Sequence, residues 1–122
     1  MSKKLVLVID DDVDILDSMK VILEANGYDT LTASTSKEGL KLFKTKKPDL
    51  ILCDMMMEHI DEGVHIAKEI RNTSKDVPLF LLSSIGDATA NNIDLSYIGY
   101  NGVFQKPVNP DSMISVINKL LS

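Results

Sequence analysis

The sequence has a single cysteine, Cys53, in 122 residues, so no disulfide framework can staple it. Long apolar runs are missing as well. The longest aliphatic stretch is Leu5 to Ile9, five residues, far short of a membrane span. Lys3 and Lys4 before it imitate the start of a signal peptide, but the run is too short and ends in three aspartates. A lone thiol without an export signal is expected in a reducing cytoplasm. Bases are scarce in the second half, where Lys106 is the only one between Lys75 and Lys119. There is no internal repeat, low-complexity segment or interdomain linker. What is present is an ordinary globular composition, 44% hydrophobic and 25% charged, at a length that suits one domain, residues 1–122.

The net charge is −5, from 13 bases and 18 acids. Residues 10 to 17 hold five acids and no base, so the rest of the chain balances at 13 of each. The whole excess therefore sits in eight residues, and the acidic balance argues against bulk nucleic-acid binding by this domain.

The apolar pattern changes period along the chain. Leu5 to Ile9 reads as a strand buried on both faces. Ile15, Leu16, Met19, Ile22 and Leu23 follow at helical spacing, and Asn26-Gly27 is a helix stop. Asp29 to Ala33 is a second strand, and Thr35 with Glu38 forms a capping box for a helix that Pro48 ends. Leu50 to Cys53 is a third strand, stopping at Asp54. A loop then leads to a helix through Val64, Ile66, Ala67 and Ile70. Leu79 to Leu82 is a fourth strand ending at Ser83 and Ser84, residues 87 to 98 a weak helix, and Gly102 to Gln105 a fifth strand ending at Lys106. Asn109 caps a last helix with Pro110 in its first turn. Five strands alternating with five helices predict an α/β fold, a parallel sheet covered on both faces by right-handed crossovers.

In such a sheet, ligands bind beyond the carboxyl ends of the strands. Strand 1 ends in Asp10, Asp11 and Asp12, strand 3 in Asp54, strand 4 in Ser83, and strand 5 in Lys106-Pro107. Two carboxylates about 4 Å apart repel by roughly 4 kcal/mol at an effective dielectric near 20. Three together need a cation, and an all-oxygen set without imidazole suits Mg²⁺. With Lys106 beside the metal, the site favours a phosphoryl group in transfer, with Asp54 as the in-line nucleophile and a Ser83 hydroxyl able to bond the attached group.

These residues, in this order on these strands, resemble the receiver domain of a two-component response regulator across essentially the whole chain. The resemblance implies a flavodoxin-like, doubly wound five-stranded sheet of order 2-1-3-4-5. It implies Asp54 as phosphoacceptor, Asp11 and Asp10 with the backbone carbonyl of Met56 as the Mg²⁺ site, Lys106 pairing with the phosphoryl group, and Ser83 as the switch hydroxyl. A sensor histidine kinase or phosphotransfer protein would be the donor. Output would pass through the face made by the fourth helix, fifth strand and fifth helix, to a second receiver in a homodimer, an output partner or an effector domain. The domain would catalyse its own phosphotransfer and dephosphorylation without being a metabolic enzyme.

Some positions depart from the family's commonest pattern. Glu58 replaces a proline, Asp61-Glu62-Gly63 carries one extra residue, and Ser83 replaces a threonine. Val103 stands where an aromatic switch residue is usual, and Phe104 next to it is expected on the opposite face of the strand. Tyr100 and Phe104 are the candidates to replace it, unless the output surface signals differently. Apolar Met56 and Ile85, two residues after Asp54 and Ser83, are expected to slow loss of the phosphate.

Other conspicuous residues have simpler readings. Asp12 reads as a helix cap, Asp14 and Asp17 as helix acids, and Cys53 as an inert core thiol. Ser84 and Thr89 read as structural, and His59 and His65 lack the partners of a metal site. Lys41, Lys44, Lys46 and Lys47 suit a helix C-terminus. Among rival functions, a haloacid-dehalogenase-type phosphatase would use Asp10 as its nucleophile, but Asp14 and the lack of a later Asp-Asp pair disfavour it. A flavodoxin-type FMN carrier would meet aspartates where it needs a phosphate loop. A phosphorylation-independent binding module would not need the Asp11, Asp54 and Lys106 set.

Overall fold

The computed structural model describes residues 3–54, 61–84, 99–106 and 108–121. Its elements in order are β1 (Leu5–Ile9), α1 (Val13–Ala25), β2 (Asp29–Ala33), α2 (Ser36–Lys46), β3 (Leu50–Asp54), α3 (Asp61–Thr73), β4 (Leu79–Ser84), β5 (Gly102–Lys106) and α4 (Pro110–Leu121). The five strands form one parallel sheet of order β2-β1-β3-β4-β5, as the resemblance implied. The helix expected over 87–98 lies outside the described residues, as do Met56, Glu58, His59, Ile85, Thr89, Pro107 and the side chain of Ser83.

Local chemistry sets the boundaries. Asp12 caps α1 through a bond from the Asp14 N–H to its Oδ1, 3.0 Å. The chain leaves α1 through Gly27 at φ +90°, with the Tyr28 N–H donating to the Leu23 carbonyl. At α2 the Glu38 N–H donates to Thr35 Oγ1, while Glu38 Oε1 accepts from the Ser34 N–H, one residue before the cap itself. Lys47 ends α2 in the left-handed region at φ 51°, because Pro48 denies it the helical one. Asn109 caps α4 by accepting from the Ser112 N–H. Asp61-Glu62-Gly63, expected in a loop, is the first turn of α3.

Strand alternation divides the core in two. Leu7, Ile9, Ile51, Cys53, Leu79 and Leu81 face α2 and α3, where they meet Phe43, Ile66, Ala67 and Ile70. Val6, Val8, Leu50, Leu52, Phe80 and Leu82 face α1 and α4, against Leu16, Met19, Leu23, Met113 and Ile117. On the first side α2 crosses β1 closely: a Cβ on Gly39 would come within 2.5 Å of Ile9 Cδ1. On the second, the Tyr28 hydroxyl bonds Asn118 and so ties the start of β2 to α4.

Arg71, near the end of α3, fixes the approach to β4 and β5. Its Nε and one terminal nitrogen donate to the Gly99 carbonyl at 2.9 and 2.7 Å. The other terminal nitrogen donates to the carbonyls of Val77 and Ser74 at 2.8 and 3.3 Å. Asn101 Oδ1 accepts both from Arg71 and from the Leu79 N–H. Gly99 suits this clamp twice, with φ at +126° and no Cβ to press on the Arg71 stem, which would lie 2.9 Å away. A lysine has a single point of donation and cannot span these carbonyls. Arg71→Lys is therefore expected to lower unfolding free energy by about 2 kcal/mol, measured by urea denaturation, and a loss below about 0.5 kcal/mol would contradict this account.

Candidate functional site

Register brings the acidic residues together. Ile9 pairs with Cys53, so the residues that follow, Asp10 and Asp54, leave two adjacent central strands at the same level. β3 and β5 each run one residue beyond the expected stretch: Asp54 is itself in the ladder opposite Leu82, and Lys106 opposite Ser84. Lys106 thus starts two rungs further along than Asp54 and reaches back with its stem.

Asp10 is fully buried and Asp54 is 6% exposed. The Asp10 N–H continues the sheet by donating to the Ala33 carbonyl, and its Oδ1 accepts from the Asp12 N–H at 2.9 Å. Lys106 Nζ lies 2.8 Å from Asp10 Oδ2 and 3.3 Å from Asp54 Oδ2. The second contact is a hydrogen bond. The first is an ion pair by distance whose angles are off the hydrogen-bonding direction, so Asp10 Oδ2 is a buried oxygen with no hydrogen bond aimed at it among the described residues. Burial would pull the Lys106 ammonium down, but Asp10, and after it Asp54, hold it above its ordinary range. On the alkaline side, stabilisation from these pairs is thus kept up to the lysine's ordinary value of 10.5 and is lost as pH rises through the still higher folded value.

Asp11, exposed, completes the group: one carboxylate oxygen from each of Asp10, Asp11 and Asp54 lies within 4.8 Å of the others. At that separation each pair repels by roughly 3.5 kcal/mol at an effective dielectric near 20. Three carboxylates and one ammonium leave two negative charges. A buried oxygen without a directed hydrogen bond, an exposed third carboxylate and an all-oxygen donor set fit Mg²⁺, which Asp10 and Asp11 would hold with Asp54 alongside. The Met56 carbonyl assigned to the same site lies outside the described residues.

The structure thus gathers Asp10, Asp11, Asp54 and Lys106, and places Ser83 in β4 beside β5, opposite Gln105. Val103 is 41% exposed, and Phe104 points the other way, stacked on Phe80 with ring centroids 5.0 Å apart. Tyr100 is buried in the opposite core with Cys53, and burial pushes its phenol up, with Cys53 and then Asp54 adding to the effect. The two candidates to replace the aromatic at 103 therefore pack in different cores. Sequence reasoning missed that Lys106 lies closer to Asp10 than to Asp54. The one available signal was its isolation as the only base in a long window.

A doubly wound parallel sheet with a cluster of three carboxylates and a lysine at its carboxyl edge defines a flavodoxin-like α/β domain. The chain belongs to the response regulator receiver domain family, whose model matches residues 6–118. It is 32% identical over 121 residues to the alkaline phosphatase synthesis transcriptional regulatory protein PhoP of Bacillus subtilis, an alignment covering 99% of this chain and 49% of that protein. Among solved structures, the receiver domain of the Francisella response regulator 1452 aligns with a TM-score of 0.84 at 35% identity, covering 97% of this chain and 96% of that one. A response regulator receiver domain protein of Clostridium thermocellum gives 0.86 at 32% identity, covering 97% and 94%. The chain spans about half the length of the curated relatives it matches.

A metal held by these carboxylates would compete for them with Lys106, which leads to a measurable consequence. Replacing it in Lys106→Met leaves buried Asp10 unpaired, a loss of roughly 3–5 kcal/mol without metal. The three carboxylates would then bind Mg²⁺ more tightly, so the rise in melting temperature on adding Mg²⁺ is expected to be larger than in wild type. An equal or smaller rise in the variant would refute the competition.

Proposed function

We propose that this receiver domain accepts a phosphoryl group on Asp54 from the phosphohistidine of a sensor kinase or phosphotransfer protein, in a Mg²⁺-dependent reaction in the cytoplasm. The observation that carries the reading is the convergence of Asp10, Asp11 and Asp54 with Lys106 at one edge of the sheet. An Asp54 carboxylate oxygen would attack phosphorus as the phosphorus–nitrogen bond breaks, leaving an acyl phosphate and a histidine that takes up a proton. Asp10 and Asp11 would hold the metal, which supplies charge neutralisation at the phosphoryl oxygens. Lys106, already within 3.3 Å of Asp54, orients the carboxylate and can follow the new charge. Ser83 would bond the attached phosphoryl group. Full burial of Asp10 weighs against the phosphatase reading, in which that residue is the nucleophile.

The phosphoryl group would bias the face to which β5 and α4 contribute between two states, and so its binding to an output partner, an effector domain or a second receiver. The regulatory relatives, twice as long as this chain, support a partner domain as the recipient.

Incubation with acetyl phosphate and Mg²⁺, followed by intact mass measurement, tests the central step. Wild type is expected to gain one phosphoryl mass, and Asp54→Asn none. Labelling that survives Asp54→Asn, or never occurs in wild type, sinks the proposal. The lifetime of the product is a separate matter. Met56 and Ile85 offer no hydrogen bond to an attacking water, so Met56→Asn and Ile85→Asn are expected to shorten the half-life of the phosphorylated form several-fold. A wild-type half-life already short, and unmoved by either change, would oppose that expectation.

A further inference from the structure

The basic residues of α2 are left without a role by the phosphoryl site. Residues 37 to 47 contain five lysines and one glutamate, a local charge of +4 in a chain of net charge −5. Lys37, Lys41 and Lys44 are spaced four and three apart, which puts them on one ridge of α2, and all three are exposed. They line a groove of about 550 Å³ between α2 and α3, whose other wall carries His65 and Glu69 and whose apolar contribution comes from Leu40. Leu40 packs against the core beneath.

Favourable interaction with the helix dipole explains only part of this ridge. Lys44 and Lys46 lie in the last turn, where a cation is stabilised. Lys37 lies in the first turn, next but one to the cap Thr35, where a cation is disfavoured, and Lys41 lies between. Like charges at these spacings also repel. Among the described side chains, the one carboxylate across the groove, Glu69, meets Lys44 at 4.0 Å with both side chains exposed, which is a weak pair. Lys37 and Lys41 form no ion pair among the described residues.

We propose that the groove between α2 and α3 docks an acidic, amphipathic segment of a partner protein, its carboxylates on Lys37, Lys41 and Lys44 and an apolar side chain over Leu40. Charge complementarity selects the occupant. The groove is concave and of the size that receives peptide side chains, whereas a lipid surface is flat. A polyanionic nucleic acid would be opposed by the chain's net charge of −5. No residue of the groove belongs to the Asp10, Asp11, Asp54 and Lys106 group, so the two sites can succeed or fail separately.

The test is fluorescence anisotropy of a fluorescein-labelled peptide, Glu-Glu-Leu-Glu-Glu-Leu-Glu-Glu, titrated with the full chain at low salt. Saturable binding that weakens as salt is added is expected. The double variant Lys37→Gln with Lys41→Gln should raise Kd about tenfold. The double variant Lys4→Gln with Lys119→Gln, which changes net charge equally outside the groove, should leave it unchanged. Circular dichroism melting and acetyl phosphate labelling of Asp54 report that each variant is folded. Absent or salt-insensitive binding by wild type, equal weakening by both double variants, or binding to phosphatidylserine vesicles without binding to the peptide would each overturn the proposal.

Discussion

The structure is organised around a repulsion. Three carboxylates from two neighbouring strands share a space less than 5 Å across, one of them wholly out of water. Nothing in local backbone preference favours that arrangement. It persists because β1 and β3 are interior strands of the sheet, each flanked by another strand on either side and covered by packed side chains on both faces. The ladder that pairs Ile9 with Cys53 cannot slip by one residue without turning Leu7 and Ile51 into the wrong core. Hydrophobic packing thereby fixes the acids against their mutual charge, and Lys106 offsets one charge of the three.

That residual imbalance gives the site its capacity to respond. Lys106 has two partners at unequal distance, 2.8 Å to Asp10 and 3.3 Å to Asp54. Its position is a compromise between two attractions, so a change of charge on either side displaces it. A divalent cation between Asp10 and Asp11 would weaken the first attraction, and a phosphoryl group on Asp54 would strengthen the second. On the proposed reading both events move the ammonium the same way, and the lysine is the last residue of β5.

The sequence disclosed what depends on near neighbours along the chain. Changes of apolar period separated the strands from the helices, and Thr35 with Glu38, Asn26-Gly27 and Asn109-Pro110 marked ends because capping is local backbone chemistry. The acidic group was legible because a strand end is a fixed address in a parallel sheet. Contacts between distant segments were not. Arg71 binds Gly99, 28 residues away, and an arginine near a helix end has no spacing signature for that. Gly39 sits in mid-helix with nothing in its neighbours to announce the Ile9 side chain beneath it. The first turn of α3, Asp61, Glu62 and Gly63, carries no apolar residue, so the helical period begins only at Val64, although acids suit a helix N-terminus.

The aromatic residues around β5 bear on how a signal would leave the site. An aromatic at position 103 would have stood on the exposed side of the strand, where Val103 now is. Phe104 instead stacks on Phe80 in the core beneath α1 and α4, and Tyr100, just before the strand, is buried in the core beneath α2 and α3. Tyr100 cannot turn without opening a packed core, a cost of several kcal/mol for a side chain of that size, and the partly buried Phe104 would give up its stacking on Phe80. The adjoining segment is held as well, since Arg71 binds the Gly99 carbonyl and the Asn101 side chain. Rotation of a single aromatic side chain is therefore a poor candidate for the output step. Among the described residues of β5, Lys106 is the one that touches the acidic group, so on the proposed reading it is the residue of the strand that meets a change of charge on Asp54.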